Sequence, residues 1–341
     1  MKTPSTLLTL FTLALNLTVP TTAHGTHSKG PGHKAHTHGS RAVISSAGLD
    51  SGPNKALLKG YSLTWHEEFT YSTSANSAKQ PSTAKWIYDL GNSYPDGPAN
   101  WGSNELQSYT NKIENIRITE QGTLYIIPRK KTNSDGSISW TSARIETVRS
   151  DFKAQRGGKL FVEARIKTGC AYAEKQKGIW NAFWALGAKF RGDYLNWPAV
   201  SEWDILEVIN GESEVHNALH CGTAPGGPCN EFVGLTNGGA KWSKCNWHYV
   251  GFEVDRTQIN AEGIELWRNN ALNWYVDGVK TFSLTGRDVN DWDTWVEIAH
   301  QGHFLLLNVA VGGDWPGYPD EKTVDAAGTR LEVDYVRVWN R

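Results

Sequence analysis

From about Leu57 to the C-terminus, the sequence is a succession of short strand-forming runs interrupted by turn residues. In KLFVEARIK (residues 159–167), apolar and polar residues alternate with a period of two, which is typical of a strand with one solvent-facing side. Glycine, asparagine, aspartate and proline separate this run from others like it, and long helical patterns are nearly absent. This pattern predicts an all-β protein in which two antiparallel sheets pack face to face.

One turn can be predicted in detail. In ALNWYVDGVKTF (residues 271–282), Asp277 and Gly278 stand between two strand-like runs. Asp-Gly pairs favour the two-residue turns that join antiparallel neighbours, because both residues of such a turn take positive φ. The sequence therefore predicts a hairpin centred on these two residues.

The N-terminal segments differ from the rest of the chain. Residues 1–23 combine a lysine, the apolar run LLTLFTLALNL and a small-residue end, which predicts a secretory signal peptide and an extracellular protein. Residues 24–55 are rich in histidine, glycine and serine, which is typical of a disordered leader, with transition-metal capture by its histidines as the alternative. We expect a single folded domain over residues 56–341.

Charge and composition exclude some partners and favour others. Lysine plus arginine total 34 and aspartate plus glutamate 35, so the net charge of −1 gives no sign of a nucleic-acid partner. No apolar run after the signal is long enough to span a membrane, and the C-terminus lacks a lipid-anchor tail. We expect a free monomer. The 16 tryptophans exceed the needs of a core and suggest aromatic platforms that face a ligand.

The cysteines also fit an exported protein. All of them follow the predicted signal, and they are Cys170, Cys221, Cys229 and Cys245. This number predicts two disulfides in an oxidising compartment. The sequence leaves the three possible pairings open.

SEWDILEVI (residues 201–209) places Glu202, Asp204 and Glu207 in an otherwise apolar run. A helix would scatter the three acids around its circumference. On a regular strand Glu207 would face the buried side, where an unpaired charge costs several kcal/mol. We therefore predict one extra residue, a β-bulge near residues 205–206, which returns Glu207 to the face of the other two acids.

Carboxylates on one face of a strand suit glycoside hydrolysis. With about 5–5.5 Å between two carboxyl groups, one attacks the sugar and the other protonates the leaving oxygen, so that the bond is cleaved with retention. Repulsion from Asp204 would keep one partner protonated near neutral pH. A calcium site or a solvated strand face is the alternative, but calcium prefers Asp/Asn/Gly-rich loops to an apolar strand.

Further segments accompany the acid strand, which has the form E-x-D-x-x-E and follows WPAVS. They are WGSNELQSYT (101–110), TSARIET (141–147), GKLFVEARIK (158–167), GIWNAFWALG (178–187), LLLNVAVGGDWPG (305–317) and VDYVRVW (333–339). In this order they resemble glycoside hydrolase family 16, in its laminarinase-like branch. The resemblance covers residues 57–341 and implies a catalytic domain with a concanavalin-like β-jelly-roll, whose concave sheet forms a substrate cleft.

The resemblance also implies roles for individual residues. Glu202 resembles the nucleophile, Glu207 the general acid/base and Asp204 a supporting acid, with no cofactor in catalysis. His220 matches a cleft histidine, although a strand histidine with structural partners is an equal alternative. The residues that resemble sugar-binding positions are Asn104, Glu105, Arg144, Trp180, Trp184, Trp197, His220 and Trp315.

Three other features follow from the resemblance. Many members hold a structural Ca²⁺, for which Glu68 and Asp334 are the candidate ligands here. The insert HCGTAPGGPCNEFVGLTNGG (residues 220–239) is similar to secreted fungal members and is expected to shape the leaving-side subsites, with a stapled surface loop as the alternative. Trp203 and Asn181 depart from the family, which usually has Ile or Val and Pro at these positions.

The implied function is a secreted, endo-acting and retaining β-1,3-glucan hydrolase. The Trp203 and Asn181 departures leave an endo-β-1,3-galactanase open, and a mixed-linkage β-1,3/1,4-glucanase or a transglycosylase is also compatible with the same strand. The expected partner is thus a polysaccharide, a β-1,3-linked glucan or galactan. The alternative of another class is a non-catalytic glucan-binding protein, but such relatives lose a catalytic glutamate and this chain keeps both.

Overall fold

The strand-forming runs become strands joined by turns in the part of the chain that the structure, a computed structural model, describes: residues 52–70 and 79–341. The predicted signal peptide and most of the predicted leader lie outside these residues. In chain order the strands are β1 (Ser62–Glu67), β2 (Trp86–Asp89), β3 (Gln107–Tyr109), β4 (Ile116–Ile118), β5 (Leu124–Ile126), β6 (Arg129–Thr132), β7 (Ile138–Ser142), β8 (Arg144–Thr147), β9 (Lys159–Lys167), β10 (Ile179–Gly187), β11 (Glu202–Ile209), β12 (Glu214–His220), β13 (Leu235–Thr236), β14 (Ala240–Lys241), β15 (His248–Asp255), β16 (Ala271–Val276), β17 (Val279–Thr285), β18 (His303–Val311) and β19 (Leu331–Asn340).

The strands form two large antiparallel sheets. The front sheet has the order β13-β12-β11-β10-β18-β8-β2, with β14 also paired to β12. The back sheet has the order β17-β16-β15-β9-β19-β5-β4, with β1 also paired to β19. A small third sheet, β3-β7-β6, contains a parallel pair, β3 with β7. The predicted all-β class with two antiparallel sheets is confirmed.

Helices are few and short in the described residues. The α-helices are α1 (Gly286–Val289) and α2 (Trp292–Trp295), and a π-helical turn (Val296–His300) follows α2. The 3₁₀ turns are Gly52–Ala56, Ala99–Gly102, Ala173–Lys175, Ala188–Phe190, Trp267–Asn269 and Ala326–Gly328. Within residues 52–70 and 79–341, none of these helices has the length and apolar character of a membrane span.

The predicted hairpin joins β16 and β17. Val276 pairs with Val279 across the turn. Asp277 and Gly278 have φ values of 49° and 80°, as a two-residue turn with both central residues in the left-handed region requires. The hairpin prediction is confirmed.

The apolar core lies between the two sheets. On β11, Trp203, Ile205 and Leu206 are buried in it. The Trp203 ring stacks on His303, with 3.5 Å between ring centroids and 19° between planes, and lies 4.8 Å from the ring of Phe252 on β15. The large residue at position 203 is thus accommodated by aromatic packing. Side chains on alternate strand positions point to the opposite side of the sheet, called here the front face.

Candidate active site

The acid strand carries the predicted bulge. Against β12, Asp204 pairs with Ala218 and Glu207 with His216, so three steps along β11 match two steps along its neighbour. Against β10, the register skips Ile205. Relative to both neighbouring strands, β11 therefore contains one extra residue. The bulge prediction is confirmed.

Two side chains complete the hydrogen bonding of the bulge. An extra residue interrupts the ladder and leaves backbone groups without strand partners. The Nδ2 of Asn217 on β12 donates to the Ile205 carbonyl at 2.8 Å. The Nε1 of Trp274, on β16 of the back sheet, donates to the Asp204 carbonyl at 2.8 Å. These two residues, called here the bulge clamp, connect the irregular strand to its neighbour β12 and to the back sheet.

Each outer acid is held by a tryptophan. Nε1 of Trp197 donates to Oε2 of Glu202 at 3.2 Å, and Nε1 of Trp180 donates to Oε1 of Glu207 at 2.9 Å. Both tryptophans are partly exposed. They therefore orient the carboxylates as well as offering aromatic surface, a function that the resemblance did not suggest.

The electrostatics differ between the two glutamates. Burial raises the pKa of Glu207 to about 7; the positive charge of His220 opposes the rise and the charge of Glu202 adds to it. Burial also raises the pKa of Glu202, while the positive charge of His220 opposes that rise. A carboxyl group with a pKa near 7 is well matched to proton donation at neutral pH. Of the pair, Glu207 is the better suited to act as the acid.

Asp204 lies between the two glutamates and beside His220. Burial raises its pKa well above the usual range, and the charges of Glu207 and Glu202 act in the same direction. One oxygen each of Glu202 and Asp204 and one ring nitrogen of His220 lie within 4.8 Å of one another. The structure thus brings these three predicted site residues together.

Trp184 and Glu105 are connected through buried side chains. Nε1 of Trp184 donates to Oδ1 of Asn308 at 2.7 Å, and Nδ2 of Asn308 donates to the hydroxyl of Tyr109 at 3.1 Å. That hydroxyl donates to Glu105 at 3.1 Å. Glu105 is only 8% exposed, so in this arrangement it orients the partly exposed Trp184 ring, and its contact with sugar stays a prediction.

Arg144 lies beneath the front face. It is 5% exposed, its Nε lies 2.9 Å from an oxygen of Asp89, and its Nη2 donates to the Tyr94 hydroxyl at 3.1 Å. Its guanidinium carbon lies 4.7 Å from the ring centre of Trp101 and 4.8 Å from that of Trp184. The observed partners of Arg144 are protein groups, and its predicted bond to a sugar hydroxyl stays a prediction.

Asn104 and Trp315 lie at the rim of the site. Nδ2 of Asn104 is 3.0 Å from both carboxylate oxygens of Asp314, which ties two rim loops together. Trp315 is 45% exposed, and its ring lies edge-on to Trp180 at 5.4 Å and to His216 at 5.1 Å. Trp315 thus offers exposed aromatic surface next to the residue that holds Glu207, and its contact with sugar stays a prediction.

The insert is closed by one of the two disulfides. The pairs are Cys170–Cys245 and Cys221–Cys229, which resolves the pairing that the sequence left open. In the insert, the Phe232 ring is 67% exposed and nearly parallel to Trp197, at 15° and 6.2 Å between centroids. The insert therefore adds to the aromatic surface beside Glu202.

The candidate calcium ligands are already paired with arginines. Glu68 accepts from Nη2 and Nε of Arg337 at 2.7 and 2.8 Å, and Asp334 accepts from Arg165 at 2.8 Å. Two carboxylates that are neutralised in this way do not by themselves form a calcium ligand set, because that cation requires several free oxygen donors.

The two departures from the family lie away from the front face. Trp203 is buried in the core, and Asn181 is fully buried on the same side of β10 as Phe183. Neither side chain lies on the front face. These positions therefore provide no reason to favour galactan over glucan.

Sequence reasoning missed several residues of the site. Asn217, Trp274 and Asn308 act through contacts between distant strands, and no local pattern marks them. Glu231, which hydrogen bonds to His220 at 2.7 Å, had a weak signal, as an acid two residues after Cys229 in a loop of mostly small residues.

Known proteins are similar to this chain in sequence and in structure. No protein-family model matches the chain. The chain is 30% identical over 287 residues to a β-glucanase of Rhodothermus marinus, and the match covers 82% of this chain and 85% of the relative. It is 27% identical over 281 residues to the clotting factor G alpha subunit of Tachypleus tridentatus, of which it spans 34% of the length.

A solved structure is also similar. The endo-1,3-β-glucanase from Streptomyces sioyaensis is 37% identical, with a TM-score of 0.73, and the match covers 82% of this chain and 96% of that one. This likeness, together with the two antiparallel sheets, confirms the predicted β-jelly-roll fold.

Proposed function

The chain belongs to the family of endo-1,3-β-glucanases, or laminarinases, which are glycoside hydrolases, and we propose that it cleaves internal bonds of β-1,3-glucan. The observation that carries the proposal is the bulged strand, which places Glu202, Asp204 and Glu207 together on one face. The relatives are consistent with the predicted glycoside hydrolase family 16.

The reaction is a retaining double displacement. Glu202, oriented by Trp197 and kept closer to its ionised form by the charge of His220, attacks the anomeric carbon. Glu207, whose raised pKa keeps it protonated up to about pH 7, donates its proton to the leaving oxygen. In the second step Glu207 takes a proton from water, and that water releases the sugar from Glu202.

Asp204 lies between Glu202 and Glu207 and influences the protonation of both. Burial and the charges of the two glutamates raise its pKa well above the usual range, so it binds a proton more readily than an isolated aspartate does. A proton shared between Asp204 and a glutamate lowers the net negative charge of the site. This arrangement supports two glutamates that hold different protonation states at the same pH.

The aromatic surface supports a polymeric substrate. Trp197 and Phe232 lie on the Glu202 side, whereas Trp180 and Trp315 lie on the Glu207 side. Indole and phenyl faces suit the flat C–H faces of pyranose rings. Aromatic surface on both sides of the acids supports endo-action, in which the chain of sugars extends past the cleaved bond in both directions.

Secretion is part of the proposal. Two disulfides support an oxidising destination, and the predicted signal peptide supplies a route to it. The disulfide-closed insert supports the secreted fungal type of the family that it resembles.

A product profile tests the proposal. The full chain is incubated with laminarin, mixed-linkage glucan and β-1,3-galactan, and the anomeric configuration of the first products is followed by NMR. We expect β-configured oligosaccharides from laminarin at the highest rate. Initial α products would contradict the retaining mechanism, and a preference for galactan would contradict the substrate. Products longer than the starting oligosaccharides would indicate transglycosylation.

Glu202→Gln separates an enzyme from a binding protein. Since the amide cannot act as the nucleophile, sugar release should be abolished while binding of laminarin oligosaccharides, measured by calorimetry, is retained. Full turnover by this variant would overturn the assignment of Glu202. Binding without any sugar release by the unmodified chain would instead favour the non-catalytic alternative.

A further inference from the structure

A carboxylate outside the acid strand reaches the site through the insert. Oε2 of Glu231 lies 2.7 Å from Nδ1 of His220, and its Oε1 accepts from the backbone N–H of Cys221 at 2.7 Å. The Glu231 side chain is fully buried. The Cys221–Cys229 disulfide closes the loop that leads to it. Both oxygens of Glu231 are thus engaged, one by the loop and one by the imidazole.

The other ring nitrogen of His220 faces the catalytic acids. Its Nε2 lies 3.5 Å from Oδ2 of Asp204, an ion-pair distance. His220 is also directly opposite Glu202 in the ladder between β11 and β12. An imidazole with a carboxylate at each nitrogen can donate to both only when both nitrogens carry a proton.

The charges around His220 agree with that protonation state. The acids that face it are Glu202, Asp204 and Glu207 on β11 and Glu231 in the insert, whereas the basic groups near the cluster are Arg144 on β8 and His216 on β12. In the described residues, His220 is the only side chain that forms an ion pair with Glu231 or Asp204. Burial lowers the pKa of His220, but the hydrogen bond to Glu231 and the charge of Glu202 outweigh it and raise the value to about 9.

We propose that Glu231 is a positioning residue of the reaction: it holds His220 as an imidazolium whose Nε2–H side faces Asp204 and Glu202. The inference rests on the proposed glucan hydrolysis and extends it to the insert. A positive charge fixed at this point favours the ionised form of the nucleophile. It does so without a direct ion pair, in which a lysine or arginine would neutralise the nucleophile. The disulfide-closed loop is then part of the catalytic machinery and not only a surface excursion.

The experiment compares Glu231→Gln and Glu231→Asp in the full chain. Glutamine is isosteric, and its carbonyl oxygen can still accept from Cys221, so the loop is retained while the charge is lost. Its amide donates toward Nδ1, which favours the neutral imidazole. We expect kcat/KM on laminarin at pH 7 to fall about 10- to 100-fold, the fold-change of one charge-assisted hydrogen bond. Glu231→Asp, which keeps the charge, should recover part of the loss.

The NMR titration of protein isotopically labelled at histidine measures the pKa of His220, which a purely structural role of Glu231 would not change. The His220 ring signals, assigned with His220→Gln, should titrate at lower pH in Glu231→Gln than in the unmodified chain and stay high in Glu231→Asp. The double variant Glu231→Gln/His220→Gln should be no less active than His220→Gln, because Glu231 acts through the imidazole. Glu262→Gln, an exposed acid outside the site, is the matched control.

The outcomes separate this inference from the proposed function. An unchanged His220 titration, equal losses in Glu231→Gln and Glu231→Asp, or additive losses in the double variant would overturn the inference. With a normal laminarin rate in the unmodified chain, any of these results leaves the proposed function intact. Absence of sugar release by the unmodified chain would overturn the proposed function and, with it, the link between Glu231 and catalysis.

Discussion

The back sheet places each of several acids beside a basic side chain. Glu332 on β19 lies 2.8 Å from Nζ of Lys167 and 2.7 Å from Nη2 of Arg330. Lys159 lies 3.1 Å from Glu253 and 2.6 Å from Asp255. These residues alternate with core residues along their strands and therefore lie on the face turned away from the core.

Strand β11 of the front sheet treats its acids differently. In the described residues, Glu202, Asp204 and Glu207 form no ion pair with lysine or arginine, and their nearest cation is His220. The side chains of Glu202 and Glu207 accept hydrogen bonds from neutral indoles. These bonds orient the two carboxyl groups and lower their pKa values less than burial raises them.

The difference is visible in the direction of the pKa shifts. For Asp255, burial raises the pKa, but hydrogen bonds from Lys159 and Thr257 outweigh burial and bring the value below the usual range. For Glu207, burial outweighs the opposing charge of His220, the charge of Glu202 adds to the rise, and the pKa reaches about 7. A basic neighbour thus lowers the pKa of Asp255 on β15, whereas burial keeps the pKa of Glu207 on β11 raised.

The largest effect is expected from Glu207→Gln. Because the amide cannot donate a proton to the leaving oxygen, kcat on laminarin should fall about 10²- to 10⁴-fold. An aryl glycoside, whose leaving group needs no protonation, should lose much less in its first step. The measurement is the ratio of the two rates, and equal losses on both substrates would show that Glu207 is not the acid.

The pH profile of the unmodified chain sharpens the same contrast. The protonated fraction of Glu207 falls as pH rises through about 7, so kcat/KM should decline about tenfold per pH unit above that value. At lower pH the rate should fall as Glu202 is protonated. An alkaline limb that is unchanged in Glu207→Asp and Glu207→Gln would assign it to another group.

On the back sheet, Glu332→Gln should affect stability and not activity. Removing this charge leaves Lys167 and Arg330 without their partner, and the free energy of unfolding should fall by about 1–3 kcal/mol. Urea denaturation of Glu332→Gln and Glu207→Gln gives the comparison directly. Equal losses of stability in Glu207→Gln and Glu332→Gln would show that the acids of β11 and of the back sheet contribute equally to folding.

The bulge clamp connects the two regions. Trp274→Phe keeps most of the ring but removes the donor to the Asp204 carbonyl, and kcat/KM should fall about tenfold, the equivalent of one hydrogen bond of about 1.4 kcal/mol. Trp339→Phe is the matched control, because Trp339 is buried and its Nε1 has no hydrogen-bond partner among the described residues. Equal activity of the two variants would exclude a role for the clamp.

The smallest effect is expected from Asn181→Leu. The Asn181 amide is buried and neither of its polar atoms has a hydrogen-bond partner in the described part of the chain. Leucine of similar shape should raise the free energy of unfolding by about 1 kcal/mol. Rates on laminarin and galactan should not change relative to each other. A change in that ratio would show that position 181 influences the sugar site after all.

Local pattern was sufficient for several features. Period-two alternation predicts β9, and the Asp277–Gly278 pair predicts its own turn, because both depend on near neighbours in the chain. The bulge follows from a local argument too, since a regular strand would bury the charge of Glu207. Residues 202–209 thus contain enough information to place three acids on one face.

Only the tertiary structure decided what surrounds those acids. Trp274 is 70 residues from the carbonyl it holds, and the arginine that pairs with Glu68 is 269 residues away. The sequence predicted two disulfides but not their pairing, and Glu231 could be connected to His220 only once the Cys221–Cys229 loop was in place. Periodicity tells which way a side chain points, but its partner depends on which distant strand or loop packs there, and that partner determines whether a carboxylate stays ionised.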